Sequence, residues 1–189
     1  MAYNILRQRA ALLWTAAACI IWSAVPARAA VLRYLSLDDQ CDQAEVIVVA
    51  TAGERSSFWS ENGGRIYTDT PFQVEQAVKG GVSGTVTVRQ LGGQVGDVAQ
   101  AVAGTPEFAA GERYVLFLEA RPDGKFRVVG FSQGCYPVVE DAGGKARVMP
   151  SMAAASGAHF IDRPQGAARS TQSLAEFLAR IRLRLAQER

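Results

Sequence analysis

Few residues in this chain have the types and spacing for chemistry. Gly130-Phe131-Ser132-Gln133-Gly134 carries the Gly-x-Ser-x-Gly spacing of a nucleophilic serine, and Asp141 and His159 follow in the order of the acid and base that would complete a triad. The reaction would be acyl transfer, as in a serine hydrolase. That pentapeptide works where a strand turns abruptly into a helix, lifting the serine and aiming backbone amides at the oxyanion. Here Cys135-Tyr136-Pro137-Val138-Val139 follows, which is not helical, and no alternation of strands and helices exists to build a parallel sheet. The hydrolase is therefore the alternative function, and a non-catalytic binding module is the leading one. His159 is the only histidine, so most nucleophile–base pairings lack their usual base, and neither a metal site nor a cofactor is implied. Gly92, Gly93 and Gly96 invite a phosphate-loop reading, but no lysine or strand–loop–helix context accompanies them. Glu75 and Glu112 read as solvated strand or turn positions.

Aromatic residues are the better lead for binding. Phe58 and Trp59 sit beside a turn at Asn62-Gly63-Gly64, and Tyr67 falls on the polar side of the next strand. Such side chains give large contact area for little lost entropy. They are the candidate binding residues.

The element that must position them is Ile66–Gly80. Ile66, Thr68, Thr70, Phe72 and Val74 alternate with Tyr67, Asp69, Gln73 and Glu75, the period of a half-buried strand. Pro71 lacks a donor and belongs at an edge or bulge. Val46-Ile47-Val48-Val49 is a continuous apolar run, the pattern of a strand buried on both faces. Further strands are read at Thr85–Gln90, Tyr114–Glu119 and Lys125–Phe131, the last two joined by a turn at Pro122-Asp123-Gly124. Tyr136–Glu140 and Ala146–Met149 form a smaller hairpin, and Leu91–Gly104 is a loop or loose hairpin. Ser36 caps a short helix, Leu37–Gln43, with Asp38 and Asp39 in its first turn. Ser173 and Glu176 form a capping box for a C-terminal helix. Its apolar stripe (Leu174, Phe177, Leu178, Ile181, Leu185) packs on the domain, with Arg180, Arg182 and Arg184 largely off that stripe. A structural envelope protein held through this basic amphipathic helix is a further alternative.

The chain has 189 residues, enough for one domain and a tail. Residues 1–29 read as a secretory signal: Arg7 and Arg9, an apolar run Ala10–Val25 of 16 residues, then the small-x-small site Ala27-Arg28-Ala29. Sixteen residues fall short of the roughly 20 a bilayer span requires, so no span is expected after cleavage. Residues 30–149 form the β domain, 150–170 a linker and 171–189 the helix. The signal removes three of 20 basic residues and none of 18 acidic ones, leaving 17 against 18 and a net charge of −1. A near-neutral chain without a basic stripe offers no footprint for nucleic acid. The expected location is exported, periplasmic or secreted. Cys41 and Cys135 survive cleavage, and an even pair in an exported chain is most simply a disulfide, worth about 4–5 kcal/mol in the loop-entropy picture.

Three stretches carry a resemblance: AEVIVVATAG (Ala44–Gly53), FQVEQAVKG (Phe72–Gly80) and FAAGERYVLFL (Phe108–Leu118). Their order resembles the netrin-like modules, the fold of the tissue inhibitors of metalloproteinases, over roughly residues 37–136. The pattern IYTDT, VEQAVKG, VRQLGG is also similar to exported bacterial proteins, some associated with matrixin-type proteases. The resemblance implies a mostly β fold: a small closed antiparallel OB-type barrel with a short N-terminal helix and a C-terminal amphipathic helix. It implies an exported protein-binding module acting on or with a secreted or envelope metalloprotease. Those inhibitors cap the protease zinc with an N-terminal cysteine. Here the mature chain would start at Ala30, with its first cysteine at Cys41, so the resemblance carries the fold and not that wedge.

Overall fold

Val46–Ala52 (β2) is buried along nearly its whole length, because both of its faces are used. Val46, Val48, Ala50 and Ala52 point into one core, and Ile47 and Val49 into another. Arg113–Ala120 (β8), paired antiparallel with β2, divides its side chains in the same way: Tyr114, Leu116 and Leu118 join the first core, Val115 and Phe117 the second. Two adjacent strands with both faces apolar need cover on both sides, and that need sets the architecture.

The computed structural model describes residues 31–150, 159–162 and 171–187. The expected signal, residues 1–29, and most of the expected linker lie outside these. The first core is the interior of a closed five-stranded barrel. Ile66–Lys79 (β4) pairs antiparallel with β2 and with Thr85–Leu91 (β5). Phe126–Val128 (β9) pairs antiparallel with β8 and closes the ring onto β5 at Val88↔Phe126. That closing pair is parallel, so the barrel is mixed where the sequence suggested an antiparallel one. The hairpin at Pro122-Asp123-Gly124 forms as expected, with Arg121 N donating to Lys125 O at 2.8 Å.

The two long strands each change partner along one edge. On β8, residues 113–116 pair with Cys135–Glu140 (β10), while 118–120 pair with β9. On β4, residues 66–69 pair with Ser56–Trp59 (β3), while 72–79 pair with β2. Pro71 lies between those two sets of partners, where its missing N–H costs no ladder bond. The expected small hairpin is β10 with Ala146–Val148 (β11), extended by Gln172–Ser173 (β13). Leu91–Gly104 contains a small hairpin, Gly93–Val95 (β6) with Val98–Gln100 (β7). Val31–Arg33 (β1) pairs in parallel with His159–Ile161 (β12), a contact sequence reading did not foresee.

The second core lies outside the barrel, beneath two helices. Leu37–Gln43 (α1) carries the Ser36–Asp39 capping box, with Ser36 Oγ accepting from Asp39 N at 3.1 Å. Leu174–Gln187 (α2) starts at the expected Ser173–Glu176 box and buries Phe177, Leu178 and Ile181. Arg184 of α2 pairs with Asp42 of α1 at 2.7 Å. Lys79-Gly80 ends β4 for two reasons. Lys79 Nζ donates to Cys41 O at 2.8 Å, near the carbonyl end of α1. Gly80 has φ +89°, and a Cβ there would stand 2.5 Å from Glu45 O.

Candidate functional site

The outer side of β3, β4 and β5 gathers two of the three expected binding aromatics. Phe58 and Tyr67 are cross-strand partners, so they share a face. Their rings lie 6.3 Å apart and 28° from parallel. Both are half-buried. Trp59 is paired with Ile66 and falls on the opposite side of β3, at 41% exposure. The structure therefore brings Phe58 and Tyr67 together and places Trp59 apart from them.

Arg89 holds this pair in place. It stands on β5 opposite Asp69. Its Nε and Nη2 donate to Asp69 Oδ1 and Oδ2 at 2.7 and 2.8 Å, a bidentate fork. Nη1 donates to Asp123 Oδ2 at 3.0 Å, tying the face to the β8–β9 turn. Its Cζ lies 4.8 Å from the Phe58 ring centroid and 5.8 Å from that of Tyr67. The hydrogen bonds to Asp69 hold the guanidinium above its already high pKa. Arg121 Nε lies 3.4 Å from Asp123 and Lys125 Nζ 3.9 Å from Asp69. The result is a surface of fixed rings and charges, with its ordering entropy already spent before any partner arrives. Sequence reading missed Arg89. Its alternation on β5 was visible, but its place beside Asp69 depends on a register set by the fold.

The Gly130–Gly134 pentapeptide lies in the turn between β9 and β10, with a strand on either side. Ser132 is fully buried, and its N donates to Gly104 O at 2.9 Å. Gln133, also buried, clamps the N-terminal segment: Oε1 accepts from Leu35 N at 2.8 Å and Nε2 donates to Arg33 O at 2.9 Å. Asp141 sits in the separate β10–β11 turn, where Oδ1 accepts from Gly143 N and Lys145 N, each at 3.0 Å. His159 lies on β12, and its side chain is outside the described residues.

The expected disulfide is absent. Cys41 belongs to the helix-covered core and Cys135 to the barrel interior. A bridge requires a narrow Cα separation and aligned Cβ vectors. An even count of cysteines carries no such geometry. Burial pushes the Cys41 thiol up to about 11, with Asp38 and Asp42 adding to it, and holds Cys135 well above the ordinary value.

The Phe108–Leu118 motif also proves structural. Phe108, Phe72 and Tyr114 form an edge-on cluster, with centroids 4.8 to 6.1 Å apart, at one end of the barrel interior. Tyr114 Oη accepts from Ala109 N at 3.1 Å and donates to Glu112 at 2.8 Å, fixing the turn into β8. Among the described residues, no three His, Cys, Asp or Glu side chains come together as a metal site. No helix of the described residues is long and apolar enough to cross a membrane.

Fold and site together define a small five-stranded β-barrel with extra strands and two covering helices. No protein-family model matches the chain, and no curated protein matches it in sequence.

Proposed function

We propose that this chain is an exported, non-catalytic binding module built on an OB-type, netrin-like barrel, and that it docks a protein through the Phe58–Tyr67–Arg89 face. One correspondence supports the barrel assignment. The three stretches that carry the resemblance form β2, the barrel half of β4, and β8 with its lead-in turn. These are the strands around which the ring is arranged. The observation that carries the function is the pinned aromatic pair: half-buried rings stacked beneath a guanidinium that is itself fixed by two carboxylates. Aromatic and arginine anchors held in advance are the residues that dominate protein interfaces. A secreted or envelope metalloprotease is the first partner class to test, because the sequence pattern resembles exported proteins associated with such proteases.

The test uses residues 30–189 as immobilised bait for native culture supernatant and envelope extract. A protein retained by the unaltered chain should be lost with Phe58→Ser and with Tyr67→Ser, each weakening binding by about 10- to 100-fold. It should be kept with Val139→Ser, an exposed apolar position on β10. Absence of any specifically retained protein, or equal retention by all variants, would overturn the proposal.

A further inference from the structure

We infer that the docking face runs on into a cavity at the seam between β5 and β9, and that this cavity takes an acidic segment of the docked protein, an apolar side chain directly beside one aspartate or glutamate carboxylate. The inference rests on the docking reading above. Strands β5 and β9 are paired at a single position, Val88↔Phe126. Beyond it, lined by Leu91 of β5 and Val128 of β9, lies a cavity of about 330 Å³, the small end of the range for ligand pockets. Phe58 and Tyr67 are cross-strand partners, as are Tyr67 and Leu91, so the three form one outward row that leads from β3 across the sheet into the cavity. Phe131 lines it from the turn after β9. Its φ is +62°, a region that a bulky residue rarely adopts, and it is 43% exposed. The turn holds it there: Ser132 N donates to Gly104 O at 2.9 Å and Gln133 N to Gly130 O at 3.2 Å. A strained backbone that presents an aromatic ring to solvent points to a use outside the chain's own packing.

The charges select the ligand. The ion-pair network beside the cavity holds four cations, Arg89, Arg121, Lys125 and Arg127, and three carboxylates, Asp69, Glu119 and Asp123. One positive charge is left over, which matches a carboxylate and not a phosphate dianion. It falls on Arg121. Arg89 is committed to Asp69 and Asp123, and Arg127 donates through Nε and Nη2 to Glu119. Lys125 stands by Asp69 and is not part of the lining. Arg121 lines the cavity, and its guanidinium makes no hydrogen bond to a described residue. Its Nε is buried, 3.4 Å from Asp123 Oδ1, whereas Nη1 and Nη2 are not buried. That outer edge, with its two parallel donors, is the one that meets a carboxylate in bidentate fashion.

The probe is the acetylated, amidated tetrapeptide Ala-Phe-Glu-Ala, titrated into ¹⁵N-labelled protein, with Ala-Glu-Phe-Ala for the reverse order. Ala-Phe-Gln-Ala and Ala-Phe-Lys-Ala test the charge, and Ala-Ala-Glu-Ala tests the apolar side chain. At least one of the two Phe–Glu orders should give saturable amide shifts at Leu91, Arg121 and Phe131. The glutamine peptide should bind about fivefold more weakly, and the lysine and alanine peptides about tenfold more weakly. Arg121→Gln should abolish the preference for glutamate over glutamine. Arg121→Lys, which keeps the charge without the fork, should restore part of it. Phe131→Asn should raise the thermal midpoint, because asparagine tolerates the left-handed region, yet weaken the Phe–Glu peptide at least about fivefold. The inference is overturned if neither order saturates at about 20 mM, a concentration well above a millimolar dissociation constant. It is equally overturned if the preference survives in Arg121→Gln, or if Phe131→Asn binds as tightly as the unaltered protein. The titration needs no natural partner, so it is decided even where the supernatant yields none. Conversely, a retained protein that is lost with Phe58→Ser but held equally by Arg121→Gln would keep the docking proposal and overturn this one.

Discussion

Strands β2 and β8 turn their outer face to α1, α2 and the β10–β11 hairpin, whereas β4 and β5 turn theirs to solvent. On the covered side the outward residues are Ile47, Val49, Val115 and Phe117, all buried. On the open side they are Tyr67, Asp69 and Arg89, each part-exposed and held by stacking and ion pairs. Both sides share the apolar interior of one barrel, so the interior does not decide which face is covered. The outward positions decide it. Where they are apolar the chain supplies its own cover. Where they are polar and aromatic the surface stays accessible, yet it is ordered by cross-strand contacts.

The sharpest way to break this comparison is to truncate one ring on each side. Phe117→Ala should cost about 3–5 kcal/mol in urea denaturation, because its ring is fully buried against Tyr136 and Phe177. Phe58→Ala should cost about 1 kcal/mol or less, the scale of an exposed stacking or cation–π contact. Equal losses would mean that the open face is a third core and not a docking surface. Next in size is Arg89→Met. It should cost about 1–2 kcal/mol, since it removes a bidentate bond to a carboxylate that is 19% exposed. The same variant should lower the rigidity of Phe58 and Tyr67, measurable as faster ring motion by NMR.

Glu75 marks the lower margin of the open face. Its carboxyl is held below the ordinary range chiefly by Arg113, with Thr51 contributing, at side-chain separations of 2.7 and 2.6 Å. A lowered folded-state pKa favours the folded chain above the unfolded value of about 4.3, and that contribution is lost as pH falls through the folded value. With both partners about one-third exposed, Glu75→Gln should cost less than about 1 kcal/mol at pH 7. The difference from the unaltered protein should vanish in denaturation curves at the acid end. The smallest effect belongs to the thiols. With Cys41 pushed up to about 11 and Cys135 also raised, iodoacetamide at neutral pH should leave Cys41 and Cys135 of the native chain unmodified. After denaturation without reductant both residues should alkylate, and failure of either to do so would restore the disulfide.

Much of the covered side was legible in the sequence, because a strand buried on both faces must be continuously apolar. The runs around Val46 and Tyr114 announce themselves. The period-two alternation of Ile66–Phe72 likewise gave the inner and outer faces of β4. What could not be read was anything that depends on which strand lies beside which. Arg89 gains meaning only once it stands across from Asp69. The parallel closure between β5 and β9 depends on two stretches far apart in the chain. The stretch Leu91–Gly104 could be read only as a loop or loose hairpin, and its β6–β7 pairing needed the fold to fix it. The serine pentapeptide shows its spacing locally, and its flanks are strands, β9 before and β10 after, as the non-helical run at Cys135–Val139 suggested.

Pro71 has a mechanical consequence. A strand of 14 residues zipped along one edge to a single neighbour would open as a unit. Here the neighbour changes at Pro71, so β3 holds only the upper half of β4 and β2 only the lower half. Amide protons of β3 should therefore exchange through a shallow local opening, with those of β2 waiting for the whole barrel to come apart. Phe58, which β3 carries, would then leave its stack with Tyr67 in such an opening, while Tyr67, Asp69 and Arg89 stay seated on the wall of β4 and β5.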